Sequence, residues 1–449
     1  MMEATTDPAI TTPLQKKVPR DISDDDIFKP RNQPTAEAII TDSGSEKMDR
    51  CKTEDVREET EEGADSSDAS SPEPLSPLRP FYKVRFTDQV TKNGDIINYQ
   101  IEVTKTAAPQ SSWVIGRQYE DLEYLEQCLA GGGRSAGVIA PPLPPPPATD
   151  PLQAELRSRR QLGADSTVLL GDDWQRDCRL MERYLNLLLR HEVYGRDAAL
   201  EAFLTRPEPP VRTLVRRSLL TRLTDGLSGS RATHPDCDEF FQRERVRLNE
   251  YQPLLQRAAE AFTAVVFAQQ RLSNQINHLA TALNIGVGSN EGWNGLYHKL
   301  NTRFSGALQE YKRGVDLSTT SADGTLGQTL ELHARYAQSE SDMLLRRTGL
   351  MIEYETANRG LEKTKAQRRP AAEEAKQRAE EVFEECSDTA KSEIRTLHRL
   401  RSAELLAGLG ELARSQIHAA QILQAELSKH LSSIRQFVVP EPGQLGRPL

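Results

Sequence analysis

Cysteine is scarce in this chain, and its few cysteines stand far apart. There are five in 449 residues, and no two of them form a CxxC pair. Disulfide frameworks are typical of small, cysteine-dense chains, and zinc sites need closely spaced ligand pairs. The sequence therefore predicts neither a disulfide framework nor a metal site.

Long apolar runs and targeting signals are also missing. Residues 1–4 show no basic-then-apolar leader pattern. The longest apolar stretches, such as the one from Ala261 to Ala268, are far shorter than the roughly 18 residues that a bilayer span needs. We expect a soluble, cytosolic protein.

Positive charge is not in excess. The 57 lysines and arginines face 66 aspartates and glutamates, which gives a formal net charge of −9. The first 80 residues hold 19 acidic and 10 basic side chains, so the rest of the chain is electrically balanced. This excludes a uniformly basic nucleic-acid-binding chain, and we expect no nucleic-acid partner.

The motifs of common enzymes are missing as well. No GxxxxGK[ST], HExxH or GxSxG motif occurs. Gly286 and Gly288 resemble the start of a dinucleotide-binding loop, but Glu291 stands where the third glycine belongs and no strand pattern precedes them. We interpret this stretch as a break between helices, and we expect no enzymatic activity and no cofactor.

The two ends of the chain have the composition of disordered tails. Residues 1–79 are rich in Asp, Glu, Ser, Thr and Pro and nearly free of aromatics. Such a segment cannot bury enough apolar surface to offset the entropy lost on ordering. We predict a disordered acidic tail over residues 1–79 and a second disordered tail over residues 441–449.

Residues 80–206 predict a small α+β domain. Residues 81–86 indicate a strand, Tyr99, Ile101 and Val103 alternate with polar residues in a second strand, and residues 113–115 indicate a third. From Tyr119 the apolar period becomes helical, and further helical patches cover residues 152–162 and 174–190. Between the helix that begins at Tyr119 and these two patches, residues 141–147 predict an extended polyproline loop.

Residues 232–440 predict an all-α, elongated bundle of three long helices. Two rows of residues seven apart are typical of a coiled-coil seam, and they comprise Phe241, Leu248, Leu255, Phe262, Gln269, Ile276 and Leu283 and, offset by three, Tyr251, Ala258, Val265, Leu272 and Leu279. A second helix is predicted from Leu296 towards Arg369, loosened between Gly314 and Gly327. A third begins at Pro370, with its own row of sevens in Leu406, Ala413, Ala420, Leu427 and Ile434. Such apolar faces favour dimerisation.

Two surfaces of the chain are candidates for membrane contact. The linker, residues 207–231, predicts an amphipathic helix in which arginines alternate with an apolar face, namely Arg212, Leu214, Val215, Arg216, Arg217, Leu219, Leu220, Arg222 and Leu223. It suits either a membrane interface or packing against the bundle. A cluster at the turn between the last two helices, called the basic tip here, comprises Arg359, Lys363, Lys365, Arg368, Arg369 and Lys376. It suits either anionic lipid or plain solvation.

Three features together resemble one family. The run from Arg117 to Leu122, RQYEDL, followed by a Pro-Pro-x-Pro loop, resembles a phox-homology (PX) domain. The basic amphipathic helix and the three long helices resemble the BAR domain of the sorting nexins. Residues 344–348, 354–358, 361–363 and 237–241 are similar to the sorting nexin five and six branch.

The chain departs from the typical PX pattern for binding phosphatidylinositol 3-phosphate. The resemblance implies Arg117 and Tyr119 as candidate lipid-binding residues, but Gln118 stands at a usually basic position and no lysine follows Pro147. Cys178 stands where a second arginine belongs. Because a phosphate needs several converging charged donors, the pocket looks incomplete, and Arg117 either contacts a headgroup or stabilises the fold.

The resemblance implies an endosomal PX-BAR sorting nexin. It would bind and curve anionic or phosphoinositide membranes as a BAR dimer, either a homodimer or a heterodimer with a sorting nexin of the one/two type. It would sort transmembrane cargo in endosome-to-Golgi or recycling retrieval, linked to retromer. An insertion over residues 151–174 would form a groove for cargo receptor tails. The protein would be cytoplasmic and peripheral on early endosome membranes and tubules. The alternatives are a phosphatidylinositol 3-phosphate effector addressed by its PX domain and a coiled-coil scaffold without a lipid role.

Overall fold

A computed structural model describes residues 80–107, 110–131, 136–164, 169–212, 234–285 and 293–438. The predicted tails, residues 1–79 and 441–449, lie outside the described residues, and so does the predicted amphipathic helix from residue 213 onwards. Within the described part of the chain, no helix is both long and apolar enough to span a bilayer.

The sheet has three antiparallel strands in the order β1-β2-β3, which are β1 (Tyr82–Asn93), β2 (Ile96–Lys105) and β3 (Ser112–Arg117). Gly94 turns the chain between β1 and β2 with a φ of 63°, a left-handed conformation that glycine adopts without strain. In β2, Tyr99, Ile101 and Val103 are buried while their neighbours are more exposed, which is the period-two pattern of a strand with one face on a core.

Four helices complete the α+β domain, and they are α1 (Tyr119–Gly131), α2 (Pro151–Leu162), α3 (Trp174–Arg190) and α4 (Ala198–Thr205). α1 and α3 bury Leu122, Leu125, Met181 and Leu185 in one core with the sheet. The helix starts are capped in part by aspartates, since the Asp150 side chain accepts a hydrogen bond from the Gln153 backbone N–H at the start of α2.

The second folded region is a bundle of long helices, which are α5 (Glu239–Ile285), α6 (Trp293–Ala322), α7 (Gln328–Lys363) and α8 (Arg369–Val438). α6 and α7 form the second long helix of the sequence analysis. Its irregular part is shorter than predicted, because only Asp323–Gly327 departs from α-geometry, as a single π-turn. Gly314 lies in regular helix, where its missing side chain lets the Leu423 side chain pack against the backbone. The helix ends at Lys363 rather than at Arg369.

The two heptad rows of α5 face different surroundings. Phe241, Leu248 and Leu255 of the first row are buried in the bundle. In the second row, Val265 is 53% exposed and Leu272 is 47% exposed. A single seam was therefore too simple a prediction, because the residues that the structure describes cover mainly the first row.

The α+β domain is fastened to the bundle through its proline loop and α3. Ile139 is buried in the apolar core of the bundle. Arg346 of α7 donates to the Val138 carbonyl at 2.8 Å. Arg183 of α3 pairs with Glu404 of α8 at 3.1 Å. A methyl group at Gly137 would overlap the Cys386 carbonyl of α8, so only glycine permits this approach.

Candidate functional site

Arg117, at the end of β3, holds the end of α4. It is 1% exposed, and its guanidinium donates to the carbonyls of Phe203 at 2.6 Å, of Arg206, and of Pro207 at 3.3 Å. Carbonyls at a helix C-terminus lack partners within the helix, so a buried cation there satisfies them and complements the helix dipole. Burial lowers the pKa of Arg117, and the charge of Asp121 partly offsets this. The geometry favours the fold-stabilising role left open by the sequence.

Gln118, just before α1, and Asp121, in its first turn, accept hydrogen bonds from an arginine of the same chain. The Arg212 Nε donates to Asp121 Oδ1 at 2.9 Å, and its Nη2 donates to Gln118 Oε1 at 2.6 Å. The Asp121 side chain is 1% exposed and also accepts the Gln118 backbone N–H. Arg212 is the one described residue among the nine named for the predicted membrane helix, and it bonds to the α+β domain. Leu214, Val215, Arg216, Arg217, Leu219, Leu220, Arg222 and Leu223 lie outside the described residues.

Tyr119 is buried and fixes the proline loop. Its hydroxyl donates to the Pro144 carbonyl at 2.6 Å. The neighbouring Leu143 carbonyl accepts from Arg335 of α7 at 3.1 Å. A polyproline segment has no internal hydrogen bonds, so these two side chains supply partners that the loop cannot supply itself. Tyr119 therefore holds the proline loop in place from a buried position.

The arginines beside Cys178 do not join Arg117. Cys178 is buried, and burial raises the pKa of its thiol to about 12. Arg176 turns towards the bundle, where it pairs with Glu331 at 2.7 Å and with Asp323 at 3.2 Å. Arg179 is exposed on α3. The converging donors that a phosphate pocket needs are not assembled among these residues.

The insertion helix α2 rests on the first bundle helix. Arg271 of α5 donates to the Gln161 carbonyl at 3.3 Å, and the Arg160 guanidinium lies 5.8 Å from the Phe267 ring centroid. A groove of about 690 Å³, lined by both polar and apolar side chains, runs between α2, α5 and α7. Leu152 and Leu156 of α2 are 66% and 60% exposed. The sequence predicted the helix but not its contact with the bundle.

The basic tip is exposed where α7 meets α8. Arg359, Lys363, Lys365, Arg368 and Arg369 are exposed, and Lys376 is half-buried. Residues 359–378 contain seven basic and three acidic side chains. Arg369 pairs with Glu373 at 3.3 Å and Lys376 with Glu380 at 3.4 Å. Lys363, Lys365 and Arg368 make no ion pair with any residue that the structure describes.

One cluster has the composition of a metal site but is already occupied by arginines. Glu244, Glu340 and His398 bring three ligand atoms within 4.8 Å of one another. Glu340 is fully buried, and it pairs with Arg247 and, at 2.9 Å, with Arg401. Burial opposes its ionisation, but His398 and the two guanidinium groups hold its pKa below the usual range. The cluster is a charge network that ties α5, α7 and α8 together.

Comparison with known proteins finds a matching domain model and several similar chains. The model of the PX domain matches residues 106–207. Human sorting nexin-32 is 25% identical over 375 residues, which cover 76% of this chain and 89% of that protein. Human sorting nexin-6 is 24% identical over 351 residues, which cover 72% and 84%. The chain thus contains a PX domain and is similar to sorting nexins over most of its length. The domain from β1 to α4, called the PX region here, includes the matched residues, and the bundle of long helices follows it, which confirms the predicted fold class.

A solved structure, the cryo-EM structure of the SNX-BAR Mvp1 tetramer, is similar to this chain with a TM-score of 0.43 and 15% identity, over 78% of this chain and 99% of that one. PX-BAR sorting nexins are membrane-trafficking adaptors without enzymatic activity. The site to be explained is thus a set of surfaces rather than a reaction centre.

Proposed function

We propose that this chain is a PX-BAR sorting nexin and works as a membrane-curving BAR dimer on early endosome membranes and tubules. There it would sort transmembrane cargo for endosome-to-Golgi or recycling retrieval, together with retromer. The observation that carries the membrane part is the basic tip, because the side chains of Lys363, Lys365 and Arg368 have neither a carboxylate nor another hydrogen-bond partner among the described residues. A cation without an internal partner is free to meet an anionic headgroup.

The electrostatic gain is large enough to matter. A lysine or arginine close to an anionic leaflet contributes about 1 kcal/mol, and the effect falls off within a Debye length. Lys363, Lys365 and Arg368 would together contribute about 3 kcal/mol per chain. A dimer presents two tips, so both contributions act on one membrane surface.

The PX region contributes little to lipid selection in this proposal. Arg117 and Tyr119 face carbonyls inside the domain, and Gln118 and Asp121 bond to Arg212. A headgroup would have to displace bonds that the domain already makes. We therefore rank the phosphatidylinositol 3-phosphate effector below the curvature-sensing dimer.

A cargo tail would pair with the part of the β1 edge that α3 leaves open, since Glu182 and Asn186 of α3 already bond to the Phe86 N–H and the Val84 carbonyl. β1 is an edge strand that pairs only with β2 among the described strands. An unpaired edge can take an added strand through backbone hydrogen bonds. The exposed Leu152 and Leu156 of α2 would offer apolar contacts to the same class of extended peptide.

Co-sedimentation with vesicles tests the membrane role. Wild-type protein is compared with the double variant Lys363→Glu/Arg368→Glu on anionic vesicles of small and large radius. The matched control is Lys299→Glu/Lys429→Glu, an equal charge change at exposed positions far along the bundle from the tip. We expect the tip variant to lower the partition coefficient at least 30-fold, which corresponds to about 2 kcal/mol, and the control to change it less than threefold.

The same assay separates the alternatives. Binding to small vesicles with or without phosphatidylinositol 3-phosphate supports the proposal. Strict dependence on that lipid would mean that the PX region is the main determinant of membrane targeting. Equal binding by the tip variant and the control would mean that the basic tip does not contact the membrane. No binding by wild-type protein would favour the coiled-coil scaffold without a lipid role.

A further inference from the structure

The turn between α7 and α8 carries one hydroxyl group amid the cations of the basic tip. Thr364 is the only serine, threonine or tyrosine between Arg359 and Arg378. Its direct neighbours in the chain, Lys363 and Lys365, are both exposed. The tip therefore offers a single side chain to which a phosphoryl group can be transferred.

The backbone at Thr364 lies outside regular helix. α7 ends at Lys363, and Thr364 follows with a φ of −85° and a ψ of 134°. Lys365 has a φ of −66° and a ψ of 151°, so both residues are extended. The half-buried Thr364 donates its hydroxyl to the Gly360 carbonyl at 2.6 Å. A kinase must bring the hydroxyl oxygen in line with the γ-phosphate of ATP, and an extended turn at the surface permits this without unwinding a helix.

The charges around Thr364 select the class of enzyme that would act on it. Residues 359–369 contain one acidic side chain, Glu362, and five basic ones, namely Arg359, Lys363, Lys365, Arg368 and Arg369. Complementary charge steers two proteins together and discriminates among partners. The matching enzyme is a serine/threonine kinase whose substrate groove is lined by carboxylates.

Thr302 of α6 provides an internal comparison. It is exposed, and Lys299 and Arg303 are close to it in the chain. It lies inside regular helix, however, and its hydroxyl donates to the His298 carbonyl at 3.0 Å. An in-line approach to its oxygen would require local unwinding of α6. Exposure and nearby cations are thus shared by both threonines, and the extended backbone distinguishes Thr364.

We propose that Thr364 is a phosphorylation site and that its phosphate switches off the affinity of the basic tip for anionic membranes. In the transfer, the Thr364 Oγ1 bonds to the γ-phosphorus of ATP while the bond from that phosphorus to the β,γ-bridging oxygen breaks. ADP leaves, and the hydroxyl proton passes to the catalytic base of the kinase. The inference rests on the proposed function, because the switch acts on the surface that meets the membrane there.

The phosphate would supply the partner that the tip cations lack. A phosphothreonine carries a charge of about −1.5 to −2 at pH 7 and three acceptor oxygens. Lys363, Lys365 and Arg368 have no ion-pair partner among the described residues, and a phosphate beside them accepts charge-assisted hydrogen bonds. Each cation withdrawn from an anionic leaflet lowers the partition coefficient about fivefold. Cancelling two of them should lower it roughly 25-fold.

Mass spectrometry tests the site. The full-length chain is incubated with ATP and, in separate reactions, with several purified serine/threonine kinases that prefer basic substrates. We expect phosphate at Thr364 and none at Thr302. Thr364→Val keeps a branched side chain of similar size but removes the nucleophilic oxygen, so a chain with this substitution shows which effects of the treatment come from Thr364.

Co-sedimentation with vesicles of phosphatidylcholine and phosphatidylserine tests the switch. The chain phosphorylated at Thr364 should bind at least tenfold more weakly than the untreated chain, and kinase treatment should leave the binding of Thr364→Val unchanged. Thr364→Glu adds one negative charge at the tip and should weaken binding about fivefold. Thr302→Glu makes the same charge change on α6 and should alter binding less than twofold.

The outcomes separate this inference from the proposed function. A chain that none of the kinases modifies at Thr364, or that they modify equally at Thr302, overturns the site. A chain phosphorylated at Thr364 that binds vesicles as tightly as the untreated chain overturns the switch. If the untreated chain binds no vesicles, the proposed function and the switch both fail, while mass spectrometry still decides the phosphorylation site.

Discussion

Replacing Arg117 by alanine should damage the fold of the PX region rather than its affinity for lipid. The guanidinium serves the carbonyls of Phe203, Arg206 and Pro207 at the end of α4, and the side chain is 1% exposed. A buried carbonyl without a partner costs about 1–3 kcal/mol. Because two or three carbonyls lose their hydrogen-bond donor, we expect the free energy of unfolding to fall by about 3–5 kcal/mol. This is a large share of the 5–15 kcal/mol that is typical of a domain.

Two further variants calibrate the measurement. Arg117→Lys keeps the charge but not the planar fork that reaches several carbonyls at once, so it should recover only part of the loss. Arg179→Ala removes an exposed arginine of α3 and should change stability by less than about 0.5 kcal/mol. Guanidinium chloride unfolding gives the free energies, and vesicle co-sedimentation at a temperature where all variants are folded gives lipid binding.

The reasoning is refuted by one specific combination. If Arg117→Ala unfolds at the denaturant concentration of wild type and loses its binding to phosphatidylinositol 3-phosphate vesicles, the guanidinium serves a headgroup and not α4. Lower stability with unchanged binding per folded molecule is the expected result.

Two other substitutions probe the junction between the PX region and the bundle. Burial, with Asp173 nearby, raises the pKa of Asp177 from 3.8 to about 6, so the folded state holds this proton more tightly than the unfolded state and loses stability as the pH rises from 3.8 through 6. Asp177→Asn should therefore stabilise the protein at pH 7 by about 1–2 kcal/mol, after a discount for partial exposure. It should also flatten the pH dependence of the free energy of unfolding between about pH 4 and 6, and lower stability at pH 7 would contradict this. Gly137→Ala should cost about 1–3 kcal/mol because its methyl group meets the Cys386 carbonyl, and denaturant unfolding should separate into two transitions, whereas a single unshifted transition would show that the approach is not close.

Local pattern was enough to predict most elements of the fold. The alternation of Tyr99, Ile101 and Val103 identified β2, and the helical patch from residue 174 to residue 190 matches α3. These signals come from side chains within one or two turns of one another, so they are visible in sequence. The heptad rows of α5 likewise follow from short-range spacing, although not the division of the rows between core and surface.

The contacts that define the site were beyond sequence reasoning. Arg176 bonds to Asp323 and Glu331, about 150 residues along the chain. Nothing in the local pattern distinguishes such an arginine from one that binds phosphate. Gly314 was equally ambiguous. The sequence alone does not distinguish a glycine that breaks a helix from one that makes room for a side chain of a neighbouring helix, as Gly314 does for Leu423.

The π-turn at Asp323–Gly327 sets the rotational phase of everything that follows it in the second long helix. A π-turn adds one residue to an otherwise continuous helix. Removing one residue there, for example Gly324, would turn α7 by about 100° and shift it by about 1.5 Å relative to α6. Arg335, which donates to the Leu143 carbonyl of the proline loop, and Arg346, which donates to the Val138 carbonyl before it, would then point elsewhere. The attachment of the PX region thus depends on the number of residues in this turn as well as on the pair that Asp323 makes with Arg176, and length changes there should be far less tolerated than substitutions.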